Sequence, residues 1–212
     1  GLGGPRQEFD KLYPRLSKSN RGDLLDEGLE AVEVLLNNSN VSFKGAYYSF
    51  DNVSLHPKSL QSPLPIYVAG NSTRAFSRVA KFGKGLITTS APLSTLRDKI
   101  QNLYKAVEDA GRNPSEIDVM LSAVLCIDHT SEKAMKRLDS SMLGLRFSAE
   151  YKASPGHFLI GSPNEVAEKI HQLAEIGVTQ IVPQHTAGDT PTQFMDQMYF
   201  LGEEVLPLFN TP

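Results

Sequence analysis

The run Ala69-Gly70-Asn71-Ser72-Thr73 gathers residue types that can hold an anion. A glycine lets the backbone approach a ligand closely, hydroxyl and amide side chains donate, and a helix starting there offers unpaired N–H groups at the positive end of its dipole. Arg74 is placed to add charge. The same residues also make an ordinary helix start, with Asn71 or Ser72 as N-cap and Gly70 as the turn. Taken alone, the run reads as a cap. It is neither a Walker A loop, which ends in Gly-Lys-Ser/Thr, nor a GxGxxG fingerprint. Thr88-Thr89-Ser90, Asp128-His129 and Gln184-His185-Thr186 are the other polar groups that directly follow apolar runs. His129 and His185 are the residue type for proton transfer near neutral pH, although a local loop or cap contact is the simpler role for each. His171 lies off the apolar stripe of its helix and reads as solvated, and His56 precedes Pro57 with no evident partner. No His, Cys, Asp and Glu share metal-ligand spacing, so no metal is expected, and there is no GxSxG elbow. Cys126, inside an apolar run, reads as a small buried hydrophobe.

These residues need elements to position them. Residues 1–19, punctuated by Gly and Pro, are expected to be a loop. Asn20, with Asp23 in capping-box position, opens a helix over about residues 21–37. Its apolar stripe is Leu25, Leu29, Val32 and Leu36, with Asp26, Glu30 and Glu33 facing the other way. "VSFKGAYYSFDNVSL" predicts a short hairpin, and "HPKSLQSPLP" an extended segment. From Ile66 the rhythm changes. Strands are predicted at "IYVAG", "GLITT", "IDVMLSAVLCID" and "GVTQIVP". Helices are predicted from Asn71 to Phe82, through Leu96–Val107, from Thr130 to about Leu145, from the Ser162-Pro163-Asn164-Glu165 capping box onward, and from about Pro191 to Leu208. Residues 143–160 carry no clear pattern. Alternating strands and helices imply parallel β/α units with right-handed crossovers, in either a doubly wound sheet or part of a (β/α)8 barrel; periodicity does not separate the two. In both, ligands bind at the C-terminal ends of the strands, which is where the polar groups named above fall.

Composition narrows the partners. The 212 residues suit one domain with a full core, 40% hydrophobic and 21% charged residues are ordinary for a globular chain, and a formal net charge of -3 argues against nucleic-acid and anionic-membrane surfaces. No apolar run has membrane-spanning length, nothing reads as a signal peptide, and a single cysteine suits a reducing cytosol, so a cytoplasmic protein without membrane or nucleic-acid partners is expected. The chain begins at Gly1 with no initiator methionine, which leaves a partial sequence open.

A family resemblance sharpens this. Arg21 with Glu27 and the helix after them, "FKGAYYSF" (Phe43–Phe50), "PLPIYVAG" followed by "AKFGKGLI", and the late "GSPNEVAEKI" with "EIGVTQIV" resemble, in order and across nearly the whole chain, the luciferase-like superfamily of flavin- and deazaflavin-dependent oxidoreductases. The resemblance implies a TIM-type (β/α)8 barrel with its cofactor at the C-terminal mouth and the cofactor phosphate held by backbone amides. It places Ala69, Gly70, Asn71 and Ser72 at the glycine-rich turn beside that phosphate, and Thr88, Thr89 and Ser90 at the mouth of the next strand, where cofactor or substrate is met. Within this superfamily the anion cradle becomes the better reading of the turn.

The departure lies at the start. Members of the superfamily begin with about four of the barrel's β/α units before the segment matched here, and "GLGGP" resembles the end of the fourth strand. The chain, residues 1–212 as a single domain, is therefore expected to form the C-terminal half to two thirds of a barrel, an incomplete one lacking its first strands. Such a fragment exposes two strand edges and an apolar interior, which invites pairing; the superfamily commonly dimerises, and the catalytic groups would lie in the absent strands. The function implied is an oxidoreductase using the deazaflavin coenzyme F-420, similar to the methylenetetrahydromethanopterin reductases, acting on a small organic substrate. The "LITTS" mouth and the absence of Trp lean that way. The rivals are a monooxygenase using reduced FMN, a non-catalytic flavin-binding relative, and a β/α barrel without flavin.

Overall fold

From Ile66 onward, short apolar runs alternate with amphipathic helices, and in the computed structural model, which describes residues 1–153 and 158–209, they form a parallel sheet. Its strands are β3 (Tyr67–Ala69), β4 (Gly85–Thr89), β5 (Asp118–Ile127), β6 (Leu159–Gly161) and β7 (Gln180–Thr186). Every pairing is parallel: β3 with β4, β4 with β5, and β5 with both β6 and β7. Strands β3, β4, β5 and β7 lie side by side in chain order. A doubly wound sheet reverses its order at a switch point; no reversal occurs here. The sheet is an arc of a singly wound β/α barrel and does not close.

One face of the arc is covered. Val68, Leu86 and the alternate β5 residues Val119, Leu121, Ala123, Leu125 and Ile127 meet α3 (Thr73–Phe82), α4 (Leu93–Asp109) and α7 (Pro163–Glu175) through Phe76, Val79, Leu96, Ile100, Leu103, Val107, Val166 and Leu173. Period-2 strands and period-3.6 helices thus supply complementary apolar surfaces. The other face is open along much of its length, with Ala69, Thr89, Gln180, Val182 and Gln184 exposed. It is covered only over the C-terminal end of β5, where Val124 and Cys126 pack under α5 (Ser131–Ser140) and α6 (Met142–Ala153). The expected single helix up to Leu145 is broken at Ser141, whose extended backbone ends α5, and the missed strand β6 is only three residues long. After α8 (Pro191–Tyr199) the chain continues as a π-helix over Phe200–Val205 and a 3-10 turn over Leu206–Phe209 rather than as one helix.

The N-terminal part departs more from expectation. Residues 1–19 are not all loop: α1 spans Arg6–Leu12 and buries nothing. The next helix, α2, spans Arg21–Asn37 as expected, but its cap is the Asn20 side chain accepting from the Gly22 N–H, while the Asp23 carboxylate is engaged elsewhere. Its acidic side, not its apolar stripe, meets the barrel arc: Asp23 and Asp26 pair with Arg74, Asp26 with the buried Arg78, and Glu30 with Lys81. Burial opposes ionisation of Asp26, but the two guanidinium groups outweigh it and hold the carboxyl below its usual range. The apolar side of α2 is left to the hairpin, β1 (Val41–Lys44) and β2 (Ser49–Val53), and Val32 remains exposed. Glu27 fixes that hairpin, accepting from the N–H groups of Ala46, Tyr47 and Tyr48 at 2.8, 2.8 and 2.7 Å.

Candidate functional site

The Ala69–Thr73 turn joins β3 to α3 at the C-terminal end of the sheet, next to the end of β4. The Gly70 N–H donates to the Ile87 carbonyl at 3.3 Å, and its φ of 154° is one that side chains rarely tolerate. A Cβ at Gly70 would lie 2.8 Å from that of Ala75, so the turn is closed to anything larger than glycine. Ser72 is the N-cap of α3, its Oγ accepting from the Ala75 N–H at 3.3 Å. Asn71 does not cap. Its Oδ1 accepts from the buried Thr88 hydroxyl at 2.8 Å, which ties the turn to the neighbouring strand. Thr89 faces the open side, and Ser90 is anchored to the Ser122 carbonyl by both its N–H (3.3 Å) and its hydroxyl (3.4 Å).

All seven residues singled out at these two strand ends therefore come together: Ala69, Gly70, Asn71, Ser72, Thr88, Thr89 and Ser90 form one rim. Arg74 does not join them, because Asp23 and Asp26 hold its guanidinium against α2. Positive charge comes instead from α4. A cleft of about 540 Å³ is lined by Asn71, Ser72, Thr73 and Phe76 on one side and by Lys99, Asn102, Lys105, Ala106 and Asp109 on the other. Lys99, Asn102 and Lys105 recur at three-residue spacing, which puts them on one side of α4; that spacing was the available signal for a basic wall. Of the first N–H groups of α3, those of Ala75 and Phe76 are taken by Ser72, which leaves the N–H groups of Thr73 and Arg74 without an acceptor among the described residues. The two unpaired amides and the two lysines, beside a Gly70 with no side chain to cover the backbone, make a donor set that fits a phosphate.

The other flagged residues divide. Asp128 is locked by Arg137 at 3.0 and 3.1 Å and accepts from the His129 N–H, while the exposed His129 ring lies edge-on to Phe200; neither is poised for proton transfer. His171 is not merely solvated, since its ring lies 4.6 Å from that of Phe209. Gln184 and His185 lie on the open side of β7: Gln184 accepts from the Ser122 hydroxyl, and the half-buried His185 ring rests 5.4 Å from Phe147. Cys126 is buried, and burial pushes its thiol up to about 12. Arg146 stacks on Phe147 and Lys152 pairs with Asp139 at 3.2 Å, so both have local partners within 143–160; residues 154–157 of that stretch lie outside the described residues. Among the described residues no group of three or more His, Cys, Asp or Glu is placed to hold a metal, and no helix is long and apolar enough to cross a membrane.

Known proteins resemble this chain in sequence and fold. The chain is 26% identical over 205 residues to an F420-dependent glucose-6-phosphate dehydrogenase of Nakamurella multipartita, covering 86% of this chain and 59% of that protein. It is 24% identical over 240 residues to an FMNH(2)-dependent dimethylsulfone monooxygenase of Pseudomonas putida, covering 98% and 61%. The fold matches that of a coenzyme F420-dependent tetrahydromethanopterin reductase from Methanopyrus kandleri with a TM-score of 0.71 at 18% identity, covering 90% of this chain and 64% of that one. The chain thus spans about three fifths of the length of the curated relatives it matches. A sequence model described as luciferase-like monooxygenase matches residues 1–157, and the chain belongs to that family.

Proposed function

We propose that this chain is the cofactor-holding part of an oxidoreductase that uses the deazaflavin coenzyme F-420 and acts on a small organic substrate. The phosphate end of the cofactor sits at the Ala69–Thr73 turn, within reach of Lys99 and Lys105, and Thr89 and Ser90 line the path from the turn onto the open face. The observation that carries the reading is the turn: the free Thr73 and Arg74 amides, a Gly70 whose Cβ would lie 2.8 Å from Ala75, and an Asn71 held by Thr88, all on a rim that the charged side chain of Arg74 has left. Bound there, the cofactor would supply the redox chemistry, while the chain orients it and shields one side from water. The F420-dependent relative supports this choice of cofactor. The second reading, a monooxygenase using reduced FMN, is favoured by the FMNH(2)-dependent relative, whose match covers 98% of this chain. Both cofactors carry a phosphate, so the turn serves either.

A lone buried cysteine suits a reducing cytoplasm. The exposed Leu12, Tyr13 and Leu60 suit a second copy or further barrel units as a covering surface.

Fluorescence titration of the chain with F-420 and with FMN tests the proposal, repeated for Gly70→Val. Binding of F-420 that the valine abolishes supports the deazaflavin reading. A preference for FMN promotes the monooxygenase. Binding of either cofactor that is unchanged in Gly70→Val removes the phosphate from the turn, which is then only a helix cap.

A further inference from the structure

The open face carries more polar chemistry than a phosphate turn uses. On β5, Ser122 lies opposite Thr89 of β4 on one side and Val182 of β7 on the other. Above that rung the register slips: Val124 pairs with His185, so two steps on β5 are matched by three on β7. The extra residue is a β-bulge, and a bulge re-aims side chains that strict alternation would send to opposite faces. Both Gln184 and His185 reach the open side as a result, Gln184 against the Ser122 hydroxyl and His185 against Phe147 of α6.

Their hydrogen-bonding capacity is unspent. The Ser122 hydroxyl donates to the Gln184 Oε1, which turns the Nε2 hydrogens away from the strand, and no described residue accepts from them. The half-buried imidazole of His185 makes no hydrogen bond to any described residue. Adjacent strands lie roughly 4.8 Å apart, so the three steps from β3 to β7 span about 14 Å. That is the order of length of a ribityl chain with a tricyclic ring attached to it. Thr89 and Ser122 lie along the way.

We propose that Gln184, oriented by Ser122, and His185 bind the polar edge of the cofactor's ring, the carbonyl–NH–carbonyl edge that FMN and the deazaflavin have in common. The inference rests on the proposed phosphate seat at Ala69–Thr73, which fixes the far end of the same ligand. Gln184 donates to a ring carbonyl and His185 meets the neighbouring ring N–H or carbonyl.

The test uses the full 212-residue chain and four probes: FMN, riboflavin, F-420 and the deazaflavin ring compound lacking the phosphate. Gln184→Leu is expected to weaken FMN and riboflavin alike, by about tenfold for one lost hydrogen bond. It should also return the absorption spectrum of the bound ring toward that of the free ring, a change that loss of stability alone would not cause. Gly70→Val is expected to weaken FMN and F-420 but leave the two phosphate-free probes as they were. Gln184→Glu keeps the shape and the acceptor for Ser122 while removing both donors, so it covers the case in which leucine fails to fold; it too should weaken the ring probes. His185→Asn is expected to weaken all four. If the wild-type chain binds FMN or F-420 and the Gln184 and His185 variants bind with unchanged affinity and spectrum, the ring edge lies elsewhere and the inference falls while the phosphate seat stands. If the wild-type chain binds none of the four, the phosphate seat falls and the ring edge falls with it.

Discussion

Gln197 is fully buried in α8, yet its amide makes two hydrogen bonds to a single backbone residue at the end of β5: the Ile127 N–H donates to Oε1 at 2.7 Å, and Nε2 donates to the Ile127 carbonyl at 2.8 Å. The side chain does the work of a neighbouring strand where the β7 pairing has run out. Leucine has a similar volume, so Gln197→Leu opens little cavity and isolates the polar loss. Two buried backbone groups left unpaired cost about 1–3 kcal/mol each, or roughly 2–6 kcal/mol together. Burying an aliphatic side chain in place of an amide offsets about 1–2 kcal/mol of that. The net loss lies between about 0 and 5 kcal/mol and centres near 2–3 kcal/mol, a large share of the roughly 5–15 kcal/mol typical of a domain. Urea unfolding followed by circular dichroism measures it as a lower midpoint at unchanged slope. Gln197→Glu sharpens the test. A carboxylate can still accept from the Ile127 N–H but repels the Ile127 carbonyl, so its folded pKa must rise above the unfolded value of about 4.3. Its contribution is then fully present below that value and lost as pH rises through the folded pKa, so this variant alone should gain stability on mild acidification. A loss under about 0.5 kcal/mol for the leucine variant, or no acid recovery for the glutamate, would show that water reaches Ile127 and that the reasoning is wrong.

Two further outcomes follow from titratable groups. Glu165 accepts from the Ser131 hydroxyl and from the Ser162 hydroxyl and N–H at 2.7 Å each, and these bonds lower its carboxyl from 4.5 to about 2. The native state therefore binds this proton less tightly than the unfolded one; the stabilisation is present above pH 4.5 and lost as pH falls toward 2. Glu165→Gln should flatten that limb of a stability–pH curve by only about 1 kcal/mol, since the carboxylate is open to water, and an unchanged limb would assign the acid sensitivity elsewhere. Cys126, 0% exposed with its thiol raised to about 12, should react with a thiol reagent at pH 8 only as fast as the chain opens. Labelling of the native protein at the rate of a free thiol would contradict this.

The β/α half of the chain was legible because burial there follows period. Val68, Leu86 and the β5 alternation from Val119 to Ile127 face the helices as the pattern predicts, and Ser162-Pro163-Asn164-Glu165 forms the capping box that its spacing announces. Where local and tertiary signals compete, the sequence misleads. Helix α2 has an apolar stripe, but three basic residues at helical spacing on α3, Arg74, Arg78 and Lys81, draw its acidic side to the arc instead. The same competition removes Arg74 from the rim and the Asp23 carboxylate from the capping box. Ser162 shows the opposite case, in which no distant cation competes and the local bond forms. Strand β6, as short as the legible β3, escaped notice because it begins inside the patternless residues 143–160 and runs straight into the Ser162 capping box. The bulge in β7 was invisible for a different reason: it is a mismatch between two strands, and neither strand carries it alone.

The two ends of the open face differ in how completely their polar groups are satisfied, and that difference bears on the proposed site. At the N-terminal ends of the strands the Tyr67 hydroxyl donates to Asp118 at 2.6 Å and accepts from the Gln180 amide at 3.4 Å, while Lys84 lies 3.7 Å from the same carboxylate. The bond to Asp118 raises the Tyr67 hydroxyl pKa, so the phenol stays protonated and the pair stays closed. Packed beside it, Gly85 has no room for a Cβ, which would lie 2.6 Å from the Asp118 carbonyl and 2.8 Å from the Tyr67 ring. At the C-terminal ends the same strands present Thr89, the Nε2 of Gln184 and the imidazole of His185 to the open side without a closed network among the described residues. Water satisfies the exposed Thr89 and Gln184, so these groups are free to exchange water for a ligand at little cost, whereas the half-buried His185 gains most from a partner. In β/α architectures this polarity recurs, with one end of the strands closed for stability and the other left incomplete for binding. Here that asymmetry supports the proposal that a ligand meets the rim at Ala69–Ser72 and Thr88–Ser90 together with the β7 bulge.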